Sequence, residues 1–176
     1  MRQNIRRTVA VLMLGAAMPA VAALAAERMR DGAAEKAELA ASVERGRYMI
    51  VVGGCNDCHT DGYILGAGDV PEEKWLAGSA VGFRGGWGTS YPTNLRLYMR
   101  DLSEDDWVEL ARTMETRPPM PWFNVRQMTE DDLRAIHRYV RTLGPAGYPA
   151  PDALPPGEEP KTPWFNFQPV MPRKTG

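Results

Sequence analysis

Apolar positions recur at helical spacing in two stretches of the chain. Over 103–116, Trp107, Leu110 and Met114 make one stripe. Ser103 precedes them as an N-cap, and Glu104, Asp105 and Asp106 suit the positive end of a helix. "RPPMP" ends it, because proline fixes φ and lacks an amide hydrogen. Over 129–143, Leu133, Ile136, Val140 and Leu143 make the second stripe, with Thr129 as cap and Asp132 three residues on. Arg138 and Arg141 suit its negative end, and Gly144-Pro145 stop it. A weaker pattern over 42–52 sets Val43, Gly46, Met49 and Ile50 on one face, between Ser42 as cap and Gly53-Gly54 as terminator.

The rest lacks a period. Residues 26–41 are rich in Ala and Glu and predict a short helix or a frayed extension without visible chemistry. Residues 60–100 are glycine-rich and carry Tyr63, Trp75, Phe83, Trp87, Tyr91 and Tyr98. A loop this long in a compact domain needs something to pack against. Beyond Gly144, nine of 32 residues are proline, which predicts an extended tail with neither helix nor sheet. "PWFNF" near its end predicts that the tail packs back on the domain. No alternating strand run stands out, so the pattern predicts an all-α fold with long loops.

The N-terminus changes the picture. "MRQNIRR" is basic, "TVAVLMLGAAM" is apolar but short for a bilayer, Pro19 predicts a helix break, and Ala23-Leu24-Ala25 offers small residues at a cleavage spacing. Residues 1–25 therefore read as a cleaved signal peptide, with an uncleaved anchor as the alternative. The expected organisation is 1–25 signal, 26–41 extension, 42–144 main domain and 145–176 proline-rich tail. Losing Arg2, Arg6 and Arg7 moves the formal charge from −1 to −4. Nothing resembles a basic patch, so nucleic acid is not an expected partner, and a membrane is one only if the signal stays. The expected location is the periplasm of a Gram-negative bacterium, an oxidising compartment where free thiols do not persist idly.

Both cysteines lie in "GGCNDCHT", with one of the two histidines. A zinc site needs four ligands, and the other histidine, His137, is far away on a helix. A thioredoxin-like pair belongs at a helix start in an α/β setting, which is not evident. A disulfide between Cys55 and Cys58 would close a very small loop and stabilise little. C-x-x-C-H is the c-type haem signal: Cys55 and Cys58 for two thioethers, His59 for iron. A buried haem would also give the loop of 60–100 a body to wrap.

The second face of the iron is either open, permitting ligand chemistry, or filled, favouring electron transfer. Met120 is the favoured donor, because Pro118, Pro119 and Pro121 hold it in stiff, irregular backbone. Met128 is the runner-up. Met114 and Met49 read as core filler, and His137 as a residue at the edge of its helix's stripe.

From Ser42 to Gly144 the order of helix, "CNDCHT", long loop, "MPW" and a last helix bearing Tyr139 resembles a class I monohaem c-type cytochrome. "RGRYMIVVGGCNDCHT" and "MPWFNVRQMTEDDLRAIHRYVRTLGP" are similar to bacterial periplasmic cytochromes of the alcohol-dehydrogenase cytochrome-subunit type. The resemblance implies a cytochrome c fold, with helices around one covalent haem c. It implies thioethers at Cys55 and Cys58, His59 as proximal and Met120 as distal ligand. It implies that "YPTNL", with Tyr91 and Asn94, lines the haem, and that a carbonyl of Pro71 orients His59. It further implies that the first and last helices cross at Gly46, with Tyr48 near Tyr139. Such dehydrogenase subunits usually carry three haems, whereas this chain has one motif.

Arg84, Arg96 and Arg126 are candidates to pair with haem propionates. The tail aromatics Trp164, Phe165 and Phe167 either pack on the core or form a docking patch. The expected function is one-electron transfer rather than catalysis. The partners would be a periplasmic dehydrogenase and a membrane oxidase or reductase. The alternatives are a fixed subunit of a dehydrogenase complex and a haem sensor or enzyme with an open sixth position.

Overall fold

The computed structural model describes residues 3–172, with side chains from Val21 onward. The chain falls into two units, 1–41 and 42–176. The first is helical throughout its described length, and its side chains from Val21 to Ala41 are almost all exposed. Much of the expected signal segment lies outside the residues whose side chains are described. No helix among the described residues is long and apolar enough to cross a membrane.

One helix, α1 (Gln3–Val52), runs through the expected break at Pro19 and past Ser42, which therefore caps nothing. It ends where expected, with the Gly53 amide closing on the Met49 carbonyl and Gly54 left-handed at φ 67°. The motif follows as the short helix α2 (Cys55–His59). Residues 60–100 are less irregular than their sequence suggested. They hold an antiparallel hairpin of β1 (Gly82–Gly85) and β2 (Gly88–Ser90), then a one-turn helix α3 (Leu95–Tyr98).

The two strongly patterned helices are present. α4 (Glu104–Thr113) has the Ser103/Asp106 capping box, and α6 (Glu130–Leu143) has Thr129 accepting from the Asp132 amide. Between them lies α5 (Trp122–Val125). α4 and α6 pack through Trp107, Val108 and Ala111 on one side and Leu133, Ile136 and Val140 on the other, all buried. Trp107 Nε1 donates to the Leu133 carbonyl at 2.9 Å, so its polar edge is satisfied inside the core. Arg138 bridges both oxygens of Glu104, and Arg134 reaches Asp105 and Glu130, tying the start of α4 to α6.

The C-terminal end of α1 crosses α6 at Gly46. A Cβ there would lie 1.9 Å from the Ala135 carbonyl oxygen and 2.8 Å from Tyr139 Cβ. Only glycine admits that approach. Tyr48 is exposed, with the Arg45 guanidinium over its ring.

The expectation of an all-α fold fails. About 49% of the chain is helical, and the main unit contains a three-stranded mixed sheet in the order β2-β1-β3. The third strand, β3 (Trp164–Asn166), comes from the proline-rich tail and pairs parallel to β1, with Phe83 opposite Phe165. The tail does pack back, but as sheet. Its prolines lie outside the three paired residues, where no ladder amide is needed. Leu154 exchanges two backbone bonds with Thr89 on the far side of the hairpin, and Phe165 and Phe167 both meet the Phe83 ring. Gly88 makes room for this, since a Cβ there would sit 2.1 Å from the Leu154 carbonyl oxygen.

Candidate functional site around the CNDCH helix

Helix α2 presents Cys55, Cys58 and His59 within a single turn. Both cysteines are free and partly buried. Burial pushes the Cys55 thiol up to about 11 and raises Cys58 as well. That is opposite to a redox-active pair, which needs a depressed thiol.

His59 is buried, and the chain around it fixes both its backbone and its ring. Its carbonyl accepts from the Gly78 amide at 2.8 Å. Nδ1 lies 2.7 Å from the Thr93 carbonyl oxygen, which can only accept, so Nδ1 carries the proton. No hydrogen bond among the described residues engages Nε2. Burial holds the imidazole below its ordinary pKa, with the Thr93 bond opposing in part. The result is an oriented neutral imidazole whose Nε2 lone pair has no protein partner, the state a metal-binding histidine requires.

The orienting carbonyl differs from the one the resemblance implied. The Pro71 carbonyl accepts from the Lys74 amide in a short 3-10 turn, and Thr93 takes its place at His59. A backbone carbonyl leaves no mark in its own side chain, so the sequence carried no signal for Thr93.

Behind the motif, Thr60 Oγ donates to Asn56 Oδ1 at 2.7 Å and accepts from the Leu76 amide at 2.8 Å. Both residues are buried and seat α2 against the following loop. A cavity of about 200 Å³ opens beside Cys58, lined by Asp61, Tyr63, Phe83, Pro92 and Phe165 among others. The tail thus contributes to the surroundings of the motif.

Met120 is partly buried against the same core cluster that Cys55 packs on. Its loop is pinned at several points. Ser90 Oγ donates to the Pro118 carbonyl, the Trp122 amide to the Met120 carbonyl, and Arg126 to the Thr113 and Met114 carbonyls. Met49, Met114 and Met128 pack on that cluster too. Met128 lies beside the start of the motif: a Cβ on Gly53 would be 3.5 Å from Met128 Cε and 3.8 Å from Cys55 Sγ.

His137 is more buried than its expected edge position. Its Nε2 donates to the Leu102 carbonyl at 2.9 Å, and its buried Nδ1 has no partner. Tyr91 faces the tail, its hydroxyl 3.0 Å from Thr162 Oγ1. Asn94 is buried, caps α3 through Oδ1, and donates to the Ala146 and Tyr148 carbonyls through Nδ2. The three arginines that were candidates for propionate pairing have protein partners. Arg96 donates to the Leu143, Gly144 and Glu73 carbonyls, so it closes the end of α6. Arg126 does the same for α4, and Arg84 meets Glu159 and the Trp164 ring. Among the described residues, no three His, Cys, Asp or Glu side chains gather as a metal site.

No protein-family model, no curated protein and no solved structure matches the chain.

Proposed function

We propose that the protein is a periplasmic one-electron carrier holding one covalent haem c at the CNDCH helix. The observation that carries the proposal is the His59 imidazole, fixed through Nδ1 by the Thr93 carbonyl with Nε2 left free, one residue from Cys58 and four from Cys55. Those residues fit the group. Cys55 and Cys58 would hold it by thioethers, each S–H adding across one vinyl group, and His59 would bind the iron. Once bound, the haem supplies a ferric/ferrous couple with no bond made or broken in a substrate.

The chain's own part is to orient and to exclude water. Thr93 sets the tautomer and the plane of His59. Met120, in its pinned loop, is the proposed sulfur donor, and a thioether donor favours ferrous iron and raises the potential relative to two histidines. Burial raises both thiol pKa values, which argues against a reactive dithiol pair. The tail is tied to its own domain at Leu154 and over 164–167, so this part of it is not a free tether.

The test is the mass of the denatured chain after export with a haem-attachment system. The proposal expects one haem per chain on the wild type. It expects none on Cys55→Ala/Cys58→Ala. A wild-type chain without added haem ends the proposal.

A further inference from the structure

We infer that Asn94 is a positioning residue for His59, and that through it the start of the tail sets the orientation of the imidazole. The Thr93 carbonyl that receives His59 Nδ1 and the Asn94 amide belong to one peptide plane. That plane is held from three sides. Asn94 Oδ1 accepts from the Leu97 amide at 3.1 Å and locks the start of α3. Asn94 Nδ2 donates to the Ala146 carbonyl at 2.8 Å and the Tyr148 carbonyl at 3.1 Å, so both its protons go to the tail. Gly78 closes the third side: a Cβ on it would lie 2.9 Å from the Asn94 nitrogen, and its own amide donates to the His59 carbonyl.

His59 is therefore gripped at its backbone by Gly78 and at its ring by the next peptide plane over. That plane has one side-chain anchor to a segment more than 50 residues away in sequence. Asn94 is 2% exposed, so its amide has no water to fall back on when the tail carbonyls are lost. Rotation of the plane would lengthen the Nδ1–H···O bond and free the ring. The consequence for an iron ligand rests on the haem reading; the consequence for the ring does not.

The experiment uses the full chain, exported and ¹⁵N-labelled at histidine. The protein has two histidines, so His137 Nε2–H, bonded to the Leu102 carbonyl, is an internal reference for general loosening. Asn94→Asp keeps the oxygen that caps α3 and removes both donors to the tail. The second variant, Gly147→Ala, leaves Asn94 intact and acts from the exposed tail, where the new Cβ would come 3.3 Å from Asn94 Nδ2 in a left-handed backbone.

In both variants His59 Nδ1–H should exchange about tenfold faster, with His137 Nε2–H unchanged. If Asn94→Asp does not fold, Gly147→Ala decides alone. Equal acceleration of both histidines means general loosening and overturns the inference, and so does an unchanged His59. Haem content by mass is measured on the same samples. Absence of haem removes the proposed function without touching the exchange result. If haem is present, the inference further expects the midpoint potential to shift in both variants.

Discussion

Replacing Gly46 by alanine isolates the helix crossing that supports the site. An alanine inside a helix is ordinarily better than glycine by about 0.5–1 kcal/mol, because glycine loses more backbone freedom on folding. At Gly46 the added methyl would meet the Ala135 carbonyl oxygen at 1.9 Å, the Ala135 carbonyl carbon at 2.5 Å and Tyr139 Cβ at 2.8 Å. The first two atoms are backbone of α6, which cannot swing aside like a side-chain tip. The helices would have to separate by more than an ångström, which opens the packing of Ile50 and Tyr139, both buried. Overpacking of this kind costs about 1–3 kcal/mol, and backbone contact places Gly46 at the upper end. After the propensity gain, the net loss is about 2 kcal/mol. For a chain of this size that lowers Tm by about 4–8 °C. Thermal unfolding followed by circular dichroism, wild type against Gly46→Ala, gives the answer. A Tm unchanged or raised would mean that α1 does not cross α6 at this distance.

Other perturbations follow from the same contacts. Arg96→Met leaves the Glu73, Leu143 and Gly144 carbonyls without their buried donor and should cost about 2–4 kcal/mol in urea unfolding. The Arg138 guanidinium holds Glu104 below its ordinary value of 4.5, so the stability this carboxylate adds is full above that value and is lost as pH falls through the depressed one. Glu104→Gln should therefore be less stable than wild type at about pH 7, and the gap should narrow by about pH 3. Phe165→Ala removes the ring stacked on Phe83 and should loosen β3 by about 1–2 kcal/mol. The readout is faster hydrogen exchange at the Phe167 amide, bonded to the Arg84 carbonyl, with α6 amides unchanged.

The helices α4 and α6 were legible to within a few residues because caps, charge bias and stripe all agree on them. The sheet was not legible. Its strands are three or four residues long, and its third strand pairs across some 80 residues of sequence. The tetrapeptide "PWFN" shows the difficulty directly. At 121–124 it enters α5, beside the Trp122–Arg126 contact, and at 163–166 it enters β3, where β1 supplies the ladder. Four identical residues take two structures because their neighbours differ. At the site, the motif residues were legible because their chemistry is in their side chains. Thr93 was hidden because it acts through its backbone. Asn94 was singled out by resemblance, but its hydrogen bonds run to the tail and α3, which no local pattern encodes.

The proposed function requires a low-spin haem at the CNDCH helix, which His59 and Met120 would ligate. Its most direct test is the absorption spectrum of the exported protein, ferric and ferrous, before and after carbon monoxide. The expected result is a low-spin spectrum with the weak long-red band of sulfur-ligated ferric haem, slow to respond to carbon monoxide. That band should vanish in Met120→Ala and persist in Met128→Ala. Loss in Met128→Ala alone would move the sulfur ligand to Met128. A high-spin haem that takes up carbon monoxide at once, or no haem at all, would rule out an electron carrier with a filled sixth position.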